Sequence, residues 1–164
     1  MKRLGIVIGV FVLGLAGLTA CGDDSDTPAS GATAASIGTK LATADVAGLG
    51  KVVVDGNGRT VYVFDKDASG KSNCEGDCLA KWPVVPAGEG KPQLDGIDAS
   101  LVGTVTRSDG SKQLSIDGLP IYLFAQDTQA GEAKGQGVGG IWWVVGADGK
   151  KNKTQPAGDD NDGY

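Results

Sequence analysis

The chain has 164 residues, which suits one compact domain with extensions, and its 40% hydrophobic and 21% charged residues are ordinary for a globular protein. Glycine is abundant, at 28 residues, and favours many turns over a helical bundle. The sequence holds no histidine, which excludes Ser-His-Asp catalysis and His-ligated zinc or haem, and the net charge of −5 argues against nucleic-acid binding.

The first 20 residues have the pattern of an export signal. Lys2 and Arg3 precede an uncharged apolar run that ends at Leu18 and is shorter than the ~20 residues of a comfortable membrane-spanning helix. The segment Leu18-Thr19-Ala20-Cys21 is similar to the lipobox of bacterial lipoproteins, in which the bond before the cysteine is cut and its thiol carries diacylglycerol. We predict a lipoprotein signal peptide over residues 1–20 and lipidation of Cys21. A plain signal peptide with an incidental cysteine is the alternative.

Two segments that we predict to be flexible or disordered flank the rest of the chain. Residues 21–48 are rich in Gly, Ala, Ser, Thr and Asp and hold no aromatic side chain, which predicts a flexible tether after the lipidated cysteine. Residues 148–164 are polar and predict a disordered tail. The folded unit is therefore expected over residues 49–147.

The folded unit carries an internal repeat. Its scarce aromatic residues and several landmarks recur at a spacing of 60 residues. The matched pairs are Gly58 and Gly118, Tyr62 and Tyr122, Phe64 and Phe124, Asp67 and Asp127, and Trp82 and Trp142. Such spacing indicates one supersecondary unit used twice, with repeat 1 at about residues 49–87 and repeat 2 at about 110–147.

The segments between the glycine-rich turns have the composition of strands. Residues 51–55 lead through Gly56-Asn57-Gly58 into a returning strand over 59–64, and residues 113–116 turn at Asp117-Gly118 into a strand over 119–124. Further strands are expected over 102–107 and 141–145. We predict an all-β fold in which two repeats of about 60 residues pack as a small sandwich or barrel. In each Tyr-x-Phe strand the two rings share one face and Val, Ile or Leu take the other, so both faces should be buried.

These motifs resemble a known bacterial family. Tyr62-Val63-Phe64-Asp65-Lys66-Asp67 and Tyr122-Leu123-Phe124-Ala125-Gln126-Asp127 are similar to the Y-x-[FWY]-x-x-D repeat of predicted lipoproteins known as the secreted repeat of unknown function. The resemblance extends to Cys74-x-x-x-Cys78 followed by Trp82-Pro83. It implies an exported, usually lipid-anchored protein, and it supplies no mechanism.

Two cysteines remain once Cys21 is assigned to lipid. In an oxidising compartment a structural disulfide between Cys74 and Cys78 is the expected outcome. A redox-active or metal-binding pair is the alternative. It is disfavoured because the spacing is not Cys-x-x-Cys and no histidine or third thiol completes a zinc site.

The aromatic and acidic landmarks admit two interpretations. They either fill the core, with each aspartate accepting hydrogen bonds at a strand exit, or they line a pair of pseudo-symmetric binding pockets for a sugar, an amine or a cell-wall fragment. The residues concerned are Tyr62, Phe64, Asp67, Tyr122, Phe124, Asp127, Trp82, Trp142 and Trp143. Alternation places Trp142 and Trp143 on opposite faces, so one is expected in the core and the other as an exposed platform or the cover of a second core.

Other chemistry has weaker support. Asp65, Asp67 and Ser69 match the opening of a calcium loop, but the twelfth position is Gly76 rather than glutamate, so this is only a weak calcium candidate. An acid–base pair of Asp67 and Asp127 would need unlike environments, which a symmetric repeat does not favour. We expect no catalytic residues and no cofactor.

Together these features predict a cell-surface or envelope lipoprotein, exported and lipid-anchored to the outer face of a bacterial membrane. The expected role is a non-enzymatic binding or structural module, monomeric, with an envelope protein or small ligand as partner and no nucleic acid. An accessory redox or electron-transfer lipoprotein is the alternative. Removing residues 1–20 takes away Lys2 and Arg3 and no acid, so the net charge of −5 becomes −7 in the mature chain.

Overall fold

Rows of β-branched and aromatic residues separated by glycine turns produce a fold of short strands. The computed structural model of the protein describes residues 38–155, so the predicted signal peptide and Cys21 lie outside the described residues. Within that range the strands are β1 (Lys40–Val46), β2 (Gly50–Asp55), β3 (Tyr62–Phe64), β4 (Gln93–Asp95), β5 (Val102–Thr106), β6 (Lys112–Ile116), β7 (Leu119–Pro120), β8 (Trp142–Val145) and β9 (Lys151–Asn152). One short helix, α1 (Asp77–Lys81), and 3₁₀ turns at Ala99–Leu101 and Val138–Gly140 complete the elements. None of the helical segments over 38–155 is long and apolar enough to cross a membrane.

The strands form three small sheets, in the orders β2-β1-β4, β3-β8-β9 and β5-β6-β7. Neighbouring strands run antiparallel except for β1 and β4, which are parallel. Isolated bridges such as Val52 to Gly146 and Pro86 to Gln113 link one sheet to the next. The predicted all-β class is confirmed, with the sheets shorter than a continuous sandwich would have.

The two repeats are related by a local two-fold arrangement centred on the tyrosines. The Tyr62 amide donates to the Tyr122 carbonyl at 2.8 Å, and the Tyr122 amide donates back to the Tyr62 carbonyl at 2.9 Å. The turns before these strands also match, because Gly58 and Gly118 both have positive φ, 79° and 77°. Residues at a spacing of 60 therefore occupy equivalent backbone positions, as the sequence pattern predicts.

Each repeat exchanges a strand with the other. The Val145 amide, in repeat 2, donates to the Val61 carbonyl in repeat 1 at 3.0 Å, and the Val85 amide, in repeat 1, donates to the Ile121 carbonyl in repeat 2 at 3.1 Å. Thus the tryptophan-bearing strand of one repeat pairs with the tyrosine-bearing strand of the other. Neither repeat can complete its own backbone hydrogen bonds without its neighbour.

The tyrosine-bearing strands lie between two hydrophobic cores, as the alternation predicts. Val61 and Val63 belong to an aliphatic core, whereas Tyr62 and Phe64 belong to a core rich in aromatic rings. The aliphatic core consists of Leu41, Val53, Val61, Val63, Val85, Ala87, Ile97, Leu114, Ile116, Ile121, Leu123 and Val145. A residue shifted by one position would exchange cores, so the register of these strands is tightly specified.

The folded unit extends further at both ends than the sequence suggests. Strand β1, at Lys40–Val46, falls in the predicted tether, and β9, at Lys151–Asn152, falls in the predicted tail. Strand β1 pairs with β2 along its length and buries Leu41 completely. Its alanine and threonine residues have the composition of a linker, but the strand is held by its backbone hydrogen bonds and by Leu41 and Val46 in the two cores.

Replacing Leu41 by alanine tests this extended boundary. Because Leu41 is 0% exposed, we expect Leu41→Ala to lower the free energy of unfolding by about 2–5 kcal/mol. Lys40→Ala, at the exposed neighbouring position, should change it by less than ~0.5 kcal/mol. Urea denaturation followed by circular dichroism measures both; equal, negligible effects would show that β1 does not contribute to the fold.

Candidate functional site

The predicted aromatic residues come together as a buried column of rings. Phe64 stacks on Trp142 at a centroid distance of 4.2 Å, Trp142 stacks on Trp82 at 3.7 Å, and Phe124 packs against Trp82 at 4.4 Å. Each repeat contributes one phenylalanine and one tryptophan, and the Trp82–Trp142 pair lies at the centre with an interplanar angle of 4°. All four side chains are at most 7% exposed.

The two tyrosines close the column from the side. Tyr62 meets Trp82 edge-on and Tyr122 meets Trp142 edge-on, each at 5.3 Å. Edge-to-face contacts of this kind add about 0.5–1.5 kcal/mol to the burial of the rings. Both tyrosines are fully buried, so the column presents no open face to a ligand in this structure.

The hydroxyl of each tyrosine bonds to the aspartate of the other repeat. Tyr62 Oη donates to Asp127 Oδ2 at 2.5 Å, and Tyr122 Oη donates to Asp67 Oδ2 at 2.6 Å. These bonds cross the local two-fold axis, just as the strand pairing does. The tyrosines and aspartates that recur in the sequence therefore contact one another, and each contact joins one repeat to the other.

The second oxygen of each aspartate holds a loop. Asp67 Oδ1 accepts from the Asn73 amide at 2.7 Å, and Asp127 Oδ1 accepts from the Lys134 amide at 2.9 Å. In both repeats the carboxylate thus fixes the start and the end of the loop that follows the Tyr-x-Phe strand. This is the role at the strand exit that the core interpretation expects.

Around Tyr122 lies a polar network with no counterpart at Tyr62. Arg107 is 7% exposed, and its guanidinium donates to Ser72 Oγ at 2.8 Å, to Gln113 Oε1 at 2.6 Å and to the Cys74 carbonyl at 2.7 Å. Ser72 Oγ in turn lies 2.7 Å from Tyr122 Oη. Our sequence reasoning gave no functional role to Arg107, Ser72 or Gln113. The signal available was a charged residue, Arg107, at the end of the strand predicted over 102–107.

Tyr62 is surrounded differently. The Gly135 amide donates to Tyr62 Oη at 3.2 Å, and a Cβ at Gly135 would lie 2.8 Å from the Tyr62 ring. Glycine is needed there because the loop backbone lies directly against the ring. One tyrosine is therefore held by an arginine-centred network and the other by a glycine loop.

Burial dominates the ionisation of these groups. It raises the pKa of Tyr62 and of Tyr122 far above the ordinary value near 10, and the partner carboxylates raise both further. Burial likewise raises the pKa of Asp67 and Asp127, with the tyrosine hydrogen bonds acting in the opposite direction. By contrast, hydrogen bonds from Lys134 and the Thr128 amide lower the pKa of Glu132 to about 2.

The disulfide predicted between Cys74 and Cys78 is confirmed. The two Cα atoms are 5.3 Å apart, Cys74 is fully buried, and Cys78 lies in α1. The bond fastens α1 to the backbone at Cys74, whose carbonyl is a partner of Arg107. A reductant would reach the bond only from the Cys78 side.

The two aspartates of the weak calcium candidate are engaged in other contacts, and Ser69 is exposed. Asp65 accepts from Trp143 Nε1 at 2.7 Å and from Lys151 Nζ at 2.5 Å, while Asp67 serves Tyr122 and the Asn73 amide. Across residues 38–155 no three acidic or thiol groups gather as a metal site would require.

Trp143 is the predicted aromatic residue that stays partly exposed. It faces away from Trp142 and covers the aliphatic core, which confirms the expected alternation. Its indole N–H is held by Asp65, and Lys153 Nζ lies 5.6 Å from the ring centroid.

The open clefts lie elsewhere on the surface. One, of about 520 Å³, is lined by residues of β2, β9 and the β8–β9 turn, and the other, of about 290 Å³, lies beside β5. None of the nine predicted binding residues lines either cleft. The geometry accordingly gives Tyr62, Phe64, Asp67, Trp82, Tyr122, Phe124, Asp127 and Trp142 the architectural role, because their side chains occupy the interior.

The architecture defines a class of protein with two interlocked β repeats, and comparison with known families identifies it further. The family described as a secreted repeat of unknown function matches residues 43–86 and again residues 103–146, more than half of the chain. The protein belongs to this family and is an exported protein. The matches begin at 43 and 103, so each repeat includes the strand before the boundaries we predicted. No curated protein and no solved structure matches the chain.

The buried tyrosines predict loss of stability at high pH. Below pH 10 both states hold neutral phenols; above it the unfolded chain ionises them while the folded chain cannot, so unfolding becomes easier as pH rises. The free energy of unfolding should fall by roughly 1.4 kcal/mol per pH unit for each of the two tyrosines above pH ~10.

Urea unfolding between pH 9 and 11.5, with absorbance at 295 nm to follow phenolate, measures this fall. The double variant Tyr62→Phe/Tyr122→Phe is the control and should show a flatter pH dependence. If Tyr62 and Tyr122 of the folded protein both ionise near pH 10, burial does not raise their pKa and the expectation is wrong.

Proposed function

We propose that the protein is a lipid-anchored module of the bacterial envelope that binds a partner or ligand and does not catalyse a reaction. The observation that supports binding over catalysis is that the Tyr62–Asp127 pair is buried and the Tyr122–Asp67 pair joins a buried tyrosine to a half-buried aspartate. Acid–base catalysis needs such groups within reach of a substrate, and here each carboxylate already accepts from a tyrosine and a loop amide.

The satisfied interior also supports a rigid scaffold. Every buried side-chain nitrogen and oxygen of the described residues has a hydrogen-bond partner. Active sites often keep an unsatisfied or strained polar group for the substrate. Recognition would then fall to the surface, where clefts and the oriented Trp143 are accessible.

The anchor is the second part of the proposal. Cys21 ends the lipobox-like segment, and the described fold begins at Gly38, so 16 residues lie between the lipidated cysteine and the fold. Even fully extended, a segment of 16 residues spans at most about 55 Å. The module would work close to the outer face of the membrane, and its acidic net charge would keep it from lying flat on anionic lipid.

Lipidation of Cys21 is tested by expressing the full chain in a bacterial host fed a labelled fatty acid. The mature product should begin at Cys21, carry the label and fractionate with membranes, because each buried CH₂ contributes about 0.8 kcal/mol to anchoring. Mass spectrometry of the N-terminal peptide identifies the modification.

Two variants make this result specific. Cys21→Ser should abolish the label, whereas Cys74→Ser/Cys78→Ser should keep it. A wild-type product that retains residues 1–20 with a free thiol at Cys21 would refute the anchor.

A further inference from the structure

A cluster of lysines lines the larger surface cleft, which we call the lysine cleft. Its lining residues are Lys51, Gly146, Ala147, Asp148, Lys150, Lys151, Asn152, Lys153 and Thr154, around a volume of about 520 Å³. The cleft lies where β2 meets the β8–β9 hairpin. The Ala147 amide donates to the Lys51 carbonyl at 3.1 Å, and the Gly146 amide donates to the Lys150 carbonyl at 2.8 Å, so the backbone around it is fixed.

Most of the positive charge in the lysine cleft is unneutralised. Among the described residues Lys51, Lys150 and Lys153 make no ion pair and are exposed, whereas Lys151 pairs with Asp65.

The acidic neighbours of the cleft do not remove this charge. Asp148, the one carboxylate of the lining, accepts the Lys150 amide at 3.1 Å and so shapes the turn. Asp45 lies opposite Lys51 in the β1–β2 register without forming an ion pair. Three neighbouring ammonium groups repel one another unless an anion lies between them.

The fold itself does not require this cluster. The equivalent backbone contact in the other repeat is the Ala87 amide donating to the Lys112 carbonyl at 3.0 Å, and the turn there reads Gly88-Glu89-Gly90. Repeat 1 forms no hairpin there, but it keeps a lysine at two matching positions, since Lys112 corresponds to Lys51 and Lys91 to Lys151. Lys150 and Lys153 are specific to repeat 2, because Gly90 and Gln93 stand 60 residues earlier, so the shared core does not require these two lysines.

We propose that the lysine cleft binds the phosphate groups of a soluble anionic polymer of the cell envelope, and the proposal rests on the binding role above. The lysine ammonium attracts phosphate as a compact point charge. Several lysines along one cleft therefore suit a polymer that carries several phosphates along its length. The mature chain is acidic, with 13 basic and 20 acidic residues and a net charge of −7, so the attraction of this cleft for an anion is local and should be screened readily by salt.

The test expresses the full chain in a bacterial host and uses the purified product in neutral detergent, with long-chain inorganic polyphosphate as the probe. We expect binding by the wild type and a loss of about tenfold or more in the triple variant Lys51→Gln/Lys150→Gln/Lys153→Gln. Because each neutralised phosphate of a flexible strand releases about 0.7 counterion, the plot of log affinity against log salt should become shallower by about 2 in that variant.

The control variant Lys71→Gln/Lys91→Gln/Lys112→Gln removes the same charge from exposed lysines elsewhere, Lys112 being the counterpart of Lys51, and should bind as the wild type does. Absent binding, or equal loss in both variants, would overturn the proposal. So would cleft-dependent binding to vesicles of phosphatidylglycerol and phosphatidylcholine without binding to polyphosphate, since the ligand would then be a membrane. Labelling of Cys21 is read separately, so the anchor and the cleft can fail independently.

Discussion

The hydrogen bond from each buried tyrosine to the aspartate of the opposite repeat is the contact on which the architecture depends. It connects the aromatic column, a loop and the two repeats. Tyr62 packs on the column, Asp127 fixes its loop, and the bond between them crosses from one repeat to the other. In an interior of low dielectric such a bond is strong, and a carboxylate left without its donor is costly. The tyrosine and aspartate of each Tyr-x-Phe-x-x-Asp motif thus hold the two repeats together.

The exchange of strands has the geometry of a two-fold dimer built into one chain. In a symmetric dimer residue i contacts residue j and j contacts i, and here Val61 meets Val145 while Ile121 meets Val85. The two repeats differ in the groups that hold the tyrosine hydroxyls and in their surface lysines. Arg107 supports one tyrosine and Gly135 the other, and Lys150 and Lys153 have no lysine at the matching positions of repeat 1. The shared features serve the fold, and the differences are where specific recognition is to be sought.

Sequence patterns predicted most of the core and little of the surface. The spacing of 60 and the alternation in the Tyr-x-Phe strands placed Tyr62 and Val63 in different cores correctly, because these patterns follow from chain geometry. Strand β1 was missed because its alanine and threonine resemble a linker until Leu41 is seen to be buried. That tyrosine and aspartate pair across repeats was not predictable, since spacing along the chain does not say which copy a side chain meets. The lysine cleft is assembled from β2 and β9, about 100 residues apart, and leaves no local pattern.

A double-mutant cycle measures the exchange between repeats most directly. The account predicts that Tyr62→Phe and Asp127→Asn are coupled by about 1 kcal/mol or more in urea unfolding, since they remove the two ends of one buried bond. Tyr62→Phe and Asp67→Asn, which lie in the same repeat, should be additive within ~0.5 kcal/mol. The account would be contradicted if Tyr62→Phe were coupled only to Asp67→Asn, or if it were coupled to neither aspartate substitution.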